Sequence, residues 1–259
     1  MNIVSFRAND APVIGYLHDD HDRLVAHQTR PAVIICAGGC YRWLSPREKD
    51  PVALYFAALG YQTFLIEYSV QDKASSLRPL RELAEAVSFI RANAAHWHIE
   101  ENHIAVLGFS AGGHLAASLG TLWHRKDLGL AENCRPDALI LCYPVITTGE
   151  FCHQESVDNV TGGDAQMMEL MSLEKQVSDK LPPCFIWHCV GDESVPVENT
   201  LLFVTAMQRA GVRYECHLFT DGKHGISMCN QEVETPNPQA AAWTDLCKNW
   251  LNQEFHFVP

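Results

Sequence analysis

Six continuous apolar runs, "AVIICA", "TFLIEY", "IAVLGF", "ALILCY", "CFIWHCV" and "YECHLF", constrain this chain more than any other feature. A strand with one face in water alternates apolar and polar residues, whereas a continuous run asks for burial on both faces. Helical stretches separate or flank these runs: "PVALYFAALG", "LRPLRELAEAVSFIRANAAHW", "AGGHLAASLGTLWH", "PVENTLLFVTAMQRAG" and "QAAAWTDLCKNWLNQEF". The first and fourth end on the glycine that stops a helix in a left-handed turn. Strand and helix alternating in this way predict an α/β fold, a mostly parallel sheet with helices on both faces. "NIVSFR" and "PVIGYLHD" alternate instead, which predicts an antiparallel N-terminal hairpin at one edge, followed by the charged "DDHDRLVAHQTR".

At 259 residues with 47% hydrophobic content the chain has enough apolar surface for one closed core, so residues 1–259 are expected to form a single domain. One segment breaks the rhythm. Residues 146–183 carry a Gly-Gly, little strand character and several short helical possibilities, and are expected to form a small cap insertion beyond a strand's carboxyl end. The formal net charge is −12 and no block of five Lys or Arg occurs, so the global field repels nucleic acid and anionic membrane. With no secretion signal and no apolar stretch near the ~18 residues of a membrane span, a cytoplasmic location is expected. Most of the ten cysteines lie inside apolar runs, as reduced buried thiols do. There is no CxxC pair, and the CxxxC spacing of Cys36 and Cys40 is a poor start for a metal site.

The chemistry centres on "VLGFSAGGHLA". Gly108, Ser110 and Gly112 form GxSxG between a buried strand and a helix, where the missing Cβ atoms let the two elements approach at a strained serine. A serine hydroxyl needs a base, and the base needs an orienting acid. In a doubly wound sheet both are expected on loops beyond the carboxyl ends of strands. "CFIWHCVGDESVPVENT" supplies Asp192, with Glu193 the alternative, and "YECHLFTDGKHGIS" supplies His224. His188 and His217 fall within strands and His114 one turn past Ser110, positions that suit packing. The oxyanion hole requires two backbone N–H groups. Ala111 provides one, and "AVIICAGGCYRW" provides the other at Gly39 or Cys40 beside Gly38. Tyr41 and Trp43 follow that loop and either stack on a sugar ring or pack beneath it. Arg47 and Glu48 come next and either brace the loop or reach the site.

These segments together, "ICAGGCY", "PVALYFAALGYQTFLIEYSV", "GFSAGGHLAASL", "FIWHCVGDESVPVEN" and "HLFTDGKHGIS", resemble the α/β-hydrolase superfamily, and within it the small esterase/lipase group that includes acetyl esterases acting on acetylated plant sugars. The order Ser, Asp, His is the one that superfamily uses. The resemblance implies a serine carboxylesterase with the triad Ser110, His224 and Asp192, working through an acyl-enzyme and needing no metal or organic cofactor. Relatives read HGGG or PGGG where this chain has Ala37 to Cys40. A cysteine still donates its backbone N–H, and its side chain beside the acyl pocket favours a short acyl group, acetyl first. The expected partner is a small-molecule ester, such as an acetylated oligosaccharide; a homo-oligomer is compatible with the sequence. An amidase or thioesterase would use the same triad. A prolyl-oligopeptidase-type peptidase would need a propeller for which the chain has no room, and a non-catalytic binding protein of this fold usually lacks a triad member.

Overall fold

The computed structural model describes residues 1–18, 28–231, 233–234 and 236–258, so residues 19–27 of the charged stretch lie outside the described residues. The hairpin is β1 (Asn2–Ala8) and β2 (Ala11–Leu17), paired antiparallel. The continuous runs become β3 (Arg30–Cys36), β4 (Gln62–Ile66), β5 (Ile99–Phe109), β6 (Ala138–Cys142), β7 (Cys184–Cys189) and β8 (Tyr214–Phe219). One eight-stranded sheet results, in the order β1-β2-β4-β3-β5-β6-β7-β8. From β4 to β8 every neighbouring pair is parallel, and β2 joins β4 antiparallel.

The helices are α1 (Asp50–Ala58), α2 (Arg78–Ala92), α3 (Ala111–Leu122), α4 (Gln154–Thr161), α5 (Ala165–Leu170), α6 (Glu198–Ala210) and α7 (Trp243–Phe255). Their arrangement explains why the runs are continuous. Along β3, Ile34 and Cys36 face one core with Leu83 and Val87 of α2, Leu115 of α3 and Phe203 of α6. Val33 and Ile35 face the other, with Val52 and Phe56 of α1 and Trp243 and Leu251 of α7. Successive side chains of a strand point to opposite faces, so a strand covered on both must be apolar at every position. Among the described residues no helix is long and apolar enough to cross a membrane.

Residues 146–183, between β6 and β7, hold α4, α5 and a 3-10 turn at Leu173–Lys175. Asn199 of α6 anchors the start of the segment, its Oδ1 accepting from the N–H of Ile146 at 2.8 Å and of Thr147 at 3.1 Å. His114 of α3 anchors its far part by donating from Nε2 to the Met171 carbonyl at 3.0 Å. Asn159 of α4 donates to the carbonyl of Cys40 at 2.8 Å, which sets the insertion against the loop after β3.

Candidate active site

Between β5 and α3, Ser110 stands at φ 53° and ψ −118°, a backbone conformation costly for any residue with a Cβ. The surroundings fix it there. Its N–H donates to the Cys142 carbonyl at 3.0 Å, and its own carbonyl accepts from Val145 at 3.1 Å and His114 at 3.0 Å. Strand and helix cross so closely that a Cβ on Gly108 would lie 2.1 Å from the Gly112 carbonyl oxygen, and one on Gly112 would lie 2.1 Å from that of Cys36. Only glycine allows that crossing.

The loops after β7 and β8 bring two further side chains to this bend. Ser110 Oγ lies 2.7 Å from His224 Nε2, and His224 Nδ1 lies 2.6 Å from Asp192 Oδ2. A carboxylate can only accept, so Nδ1 carries the proton and Nε2 is left to accept from the serine hydroxyl. Asp192 is buried, and its Oδ1 accepts from the N–H groups of Ser194 at 2.9 Å and Val195 at 3.0 Å. Burial alone would raise its pKa, but hydrogen bonds to His188 and His224 and the adjacent imidazole charge hold the carboxyl far below the usual range. Glu193, the alternative acid, is exposed. His188 lies behind Asp192, its Nε2 3.0 Å from the Val195 carbonyl and 3.4 Å from Asp192 Oδ2, while its Nδ1 meets Thr200 Oγ1 at 2.8 Å. His217 pairs with Glu215 on β8 at 2.8 Å.

After β3 the chain turns through Gly39 at φ +131°, then Cys40 and Tyr41 at +58° and +57°. The Gly39 carbonyl accepts from Arg42 at 2.8 Å and Trp43 at 3.1 Å. The N–H groups of Gly39 and Cys40 meet no acceptor among the described residues, and that of Ala111, first in α3, has no partner within the helix. The Cys40 thiol is turned to Ser156 and Glu155 of α4; burial, with the Glu155 charge adding, raises its pKa and keeps it a thiol.

Tyr41 differs from the stacking role allowed for it. Its ring is buried edge-on to Tyr68 at 5.8 Å and its hydroxyl meets His114 Nδ1 at 2.9 Å, because the left-handed turn points the side chain into the core. Trp43 remains 49% exposed and, with Ser45, Pro46 and Arg47, lines a cavity of about 310 Å³. A cavity of about 890 Å³ containing Trp123 and Arg135 lies at the amino ends of β5 and β6, and none of the site residues lines it.

Three further neighbours complete the site, of which only Glu48 drew notice in the sequence. Tyr143, after β6, sets its ring against that of His224 at 5.1 Å. Glu48, left open between bracing the loop and reaching the site, is buried and accepts from the Gly38 N–H at 2.8 Å, which is bracing. His153 caps α4, its Nδ1 accepting from the Ser156 N–H at 3.3 Å. Burial and then the His224 charge lower its pKa, so it stands neutral with its proton on Nε2.

Residues 17–140 match the BD-FAE family model. The chain is 35% identical over 229 residues to an endo-1,4-beta-xylanase B of Butyrivibrio fibrisolvens, a match covering 85% of this chain and 35% of that protein. It is 28% identical over 203 residues to an acetylxylan esterase of Xylanibacter ruminicola, covering 75% and 41%. It thus spans well under half the length of both curated relatives. Among solved structures, an acetyl ester-xyloside bifunctional hydrolase from Caldicellulosiruptor lactoaceticus superposes with a TM-score of 0.85 at 32% identity, over 99% of this chain and 97% of that one. A carboxylesterase from Lactobacillus plantarum gives 0.89 at 28% identity, over 100% and 99%.

Proposed function

The chain belongs to the α/β-hydrolase superfamily, in its carboxylesterase group, and from that premise we propose that it is a serine esterase removing short acyl groups, acetyl first, from carbohydrate or other small esters. The observation that carries the reading is the continuous hydrogen-bond chain Ser110, His224, Asp192, with contacts of 2.7 and 2.6 Å.

Ser110 Oγ attacks the acyl carbonyl while His224 Nε2 takes its proton. The negative charge that develops on the carbonyl oxygen is met by the N–H groups of Ala111 and of Gly39 or Cys40, fixed donors of which each contributes about 3 kcal/mol in comparable enzymes. The imidazolium returns its proton to the departing alcohol, and Asp192 holds its orientation and balances its charge throughout. Water, deprotonated by the same histidine, then releases the acid and regenerates the serine.

Acetyl preference is supported by Cys40, whose side chain stands where relatives carry a glycine and ties the oxyanion loop to α4 through Glu155 and Ser156. Residues 146–183 act as the cap on that side. A carbohydrate alcohol is supported by Trp43, whose half-exposed ring offers an apolar face to a sugar. Two of the similar proteins are named an acetylxylan esterase and an acetyl ester-xyloside bifunctional hydrolase.

The test compares p-nitrophenyl acetate hydrolysis by the wild type and Ser110→Ala near neutral pH. A loss of about 10⁶-fold is expected, the scale for a removed triad serine. Equal slow rates would reject the esterase. Acetate release from acetylated xylo-oligosaccharides then tests the alcohol; cleavage of the aryl ester without it would reject the carbohydrate part alone.

A further inference from the structure

We propose that Glu48 is a positioning residue of the esterase, one carboxylate that locks the oxyanion loop and the histidine loop into a single register behind Ser110. The proposal rests on the serine-esterase reading above.

Glu48 closes the 3-10 turn Pro46–Glu48 and is only 2% exposed. A carboxylate out of water is costly unless both oxygens find donors. Here each does. Oε2 accepts from the Gly38 N–H at 2.8 Å and Oε1 accepts from the Tyr143 hydroxyl at 2.8 Å. The first bond fixes the peptide immediately before Gly39 and Cys40, the loop donors. It also lies close under the nucleophile, since a Cβ on Gly38 would stand 2.8 Å from Glu48 Oε2 and 2.9 Å from Ser110 Cβ.

The second bond leads to the histidine. Tyr143 oxygen accepts from the Ser227 N–H at 2.7 Å, so the phenol passes the Glu48 contact to the loop carrying His224, whose ring it also touches at 5.1 Å. Ser227 Oγ returns to the Arg47 carbonyl at 2.6 Å, and Trp243 Nε1 donates to the Ser227 carbonyl at 3.0 Å. The connection is therefore closed on itself: the turn of Glu48, the end of β6 and the histidine loop cannot shift independently. The phenol donates its proton to Glu48, so the carboxyl accepts at both oxygens; burial raises its pKa, and the bonds from Tyr143 and Gly38 with the nearby His224 and Arg47 charges oppose that rise. The carboxyl group and His224 are near enough to act on one another electrostatically.

The groups that meet His224 are Asp192 after β7, His153 at the start of α4, Glu48 of the 3-10 turn and Tyr143 after β6. Of these, Glu48→Gln keeps the shape but replaces one acceptor oxygen by a donor, and Tyr143→Phe removes the bridge.

Both variants would be assayed with wild type and Ser110→Ala on p-nitrophenyl acetate across pH, with urea unfolding to establish that each is folded. Glu48→Gln is expected to lower kcat by about 10²-fold with KM nearly unchanged, the cost of misplacing catalytic groups by about an ångström. A merely structural role would move the urea midpoint and leave kcat in place. Tyr143→Phe should likewise lower kcat with KM nearly unchanged, and the double variant should lose less than the product of the two single losses. A folded Glu48→Gln protein with wild-type kcat overturns the proposal. Should that variant fail to fold, a folded Tyr143→Phe protein with wild-type kcat overturns it instead. Wild type no faster than Ser110→Ala would reject the esterase itself, a result distinct from either.

Discussion

His114 is buried in α3 with both ring nitrogens engaged, Nδ1 by the Tyr41 hydroxyl and Nε2 by the Met171 carbonyl, and burial lowers its pKa to about 4. The unfolded chain, with an ordinary histidine near pH 6.5, binds a proton in the window from about 4 to 6.5 that the folded chain refuses. Stability therefore rises with pH through that window and is lost on acidification, by about 3 kcal/mol from this residue across the window. Urea unfolding at a series of pH values is expected to give a shallower acid loss for His114→Gln than for wild type; parallel curves would show that the residue contributes nothing. This side chain was legible only in outline, as a packing histidine one turn past Ser110. Ser110, Asp192 and His224 were readable individually, because each follows an apolar run at its carboxyl end. Glu48 was not, since its partners Gly38 and Tyr143 are respectively 10 and 95 residues away and nothing in "SPREKDP" marks a carboxylate as buried.

At the scale of elements, the crossing of β5 with α3 bears on every distance in the site. All twelve residues of α3 are buried, and their small size at Gly112, Gly113, Ala116, Ala117 and Gly120 lets the helix lie close on the sheet. Gly112→Ala would drive a methyl against the Cys36 carbonyl at 2.1 Å, contact with backbone that cannot rotate away. It is expected to cost more than about 3 kcal/mol or to prevent folding. Gly129→Ala, at φ +63° with nothing within 4 Å, should cost only about 1–2 kcal/mol for its left-handed backbone. Equilibrium unfolding of the two variants measures the contrast, and equal losses would contradict it. The same element illustrates what patterning conveys. β5 begins at Ile99, five residues before the apolar run, because residues 100–103 are exposed or half-exposed and carry no periodic signature. The order of the sheet was likewise unreadable: β4 lies between β2 and β3 through partners that local patterning cannot name.

For the whole molecule, all ten cysteines are free thiols, seven of them buried. Thermal unfolding is expected to show the same midpoint with and without a reductant, as no covalent cross-link restrains the unfolded chain. A fall of several degrees on reduction would reveal a bond among them. The net charge of −12 is a property of this same scale, bearing on solubility and encounter rather than on the fold. The contact from Ser110 to His224 spans 114 positions of the chain. During ribosomal synthesis the serine is therefore made long before its base. Ester cleavage is therefore expected to begin only once the loop after β8 has docked beside the loop after β7, so that its onset in a timed synthesis would date the arrival of that edge of the sheet.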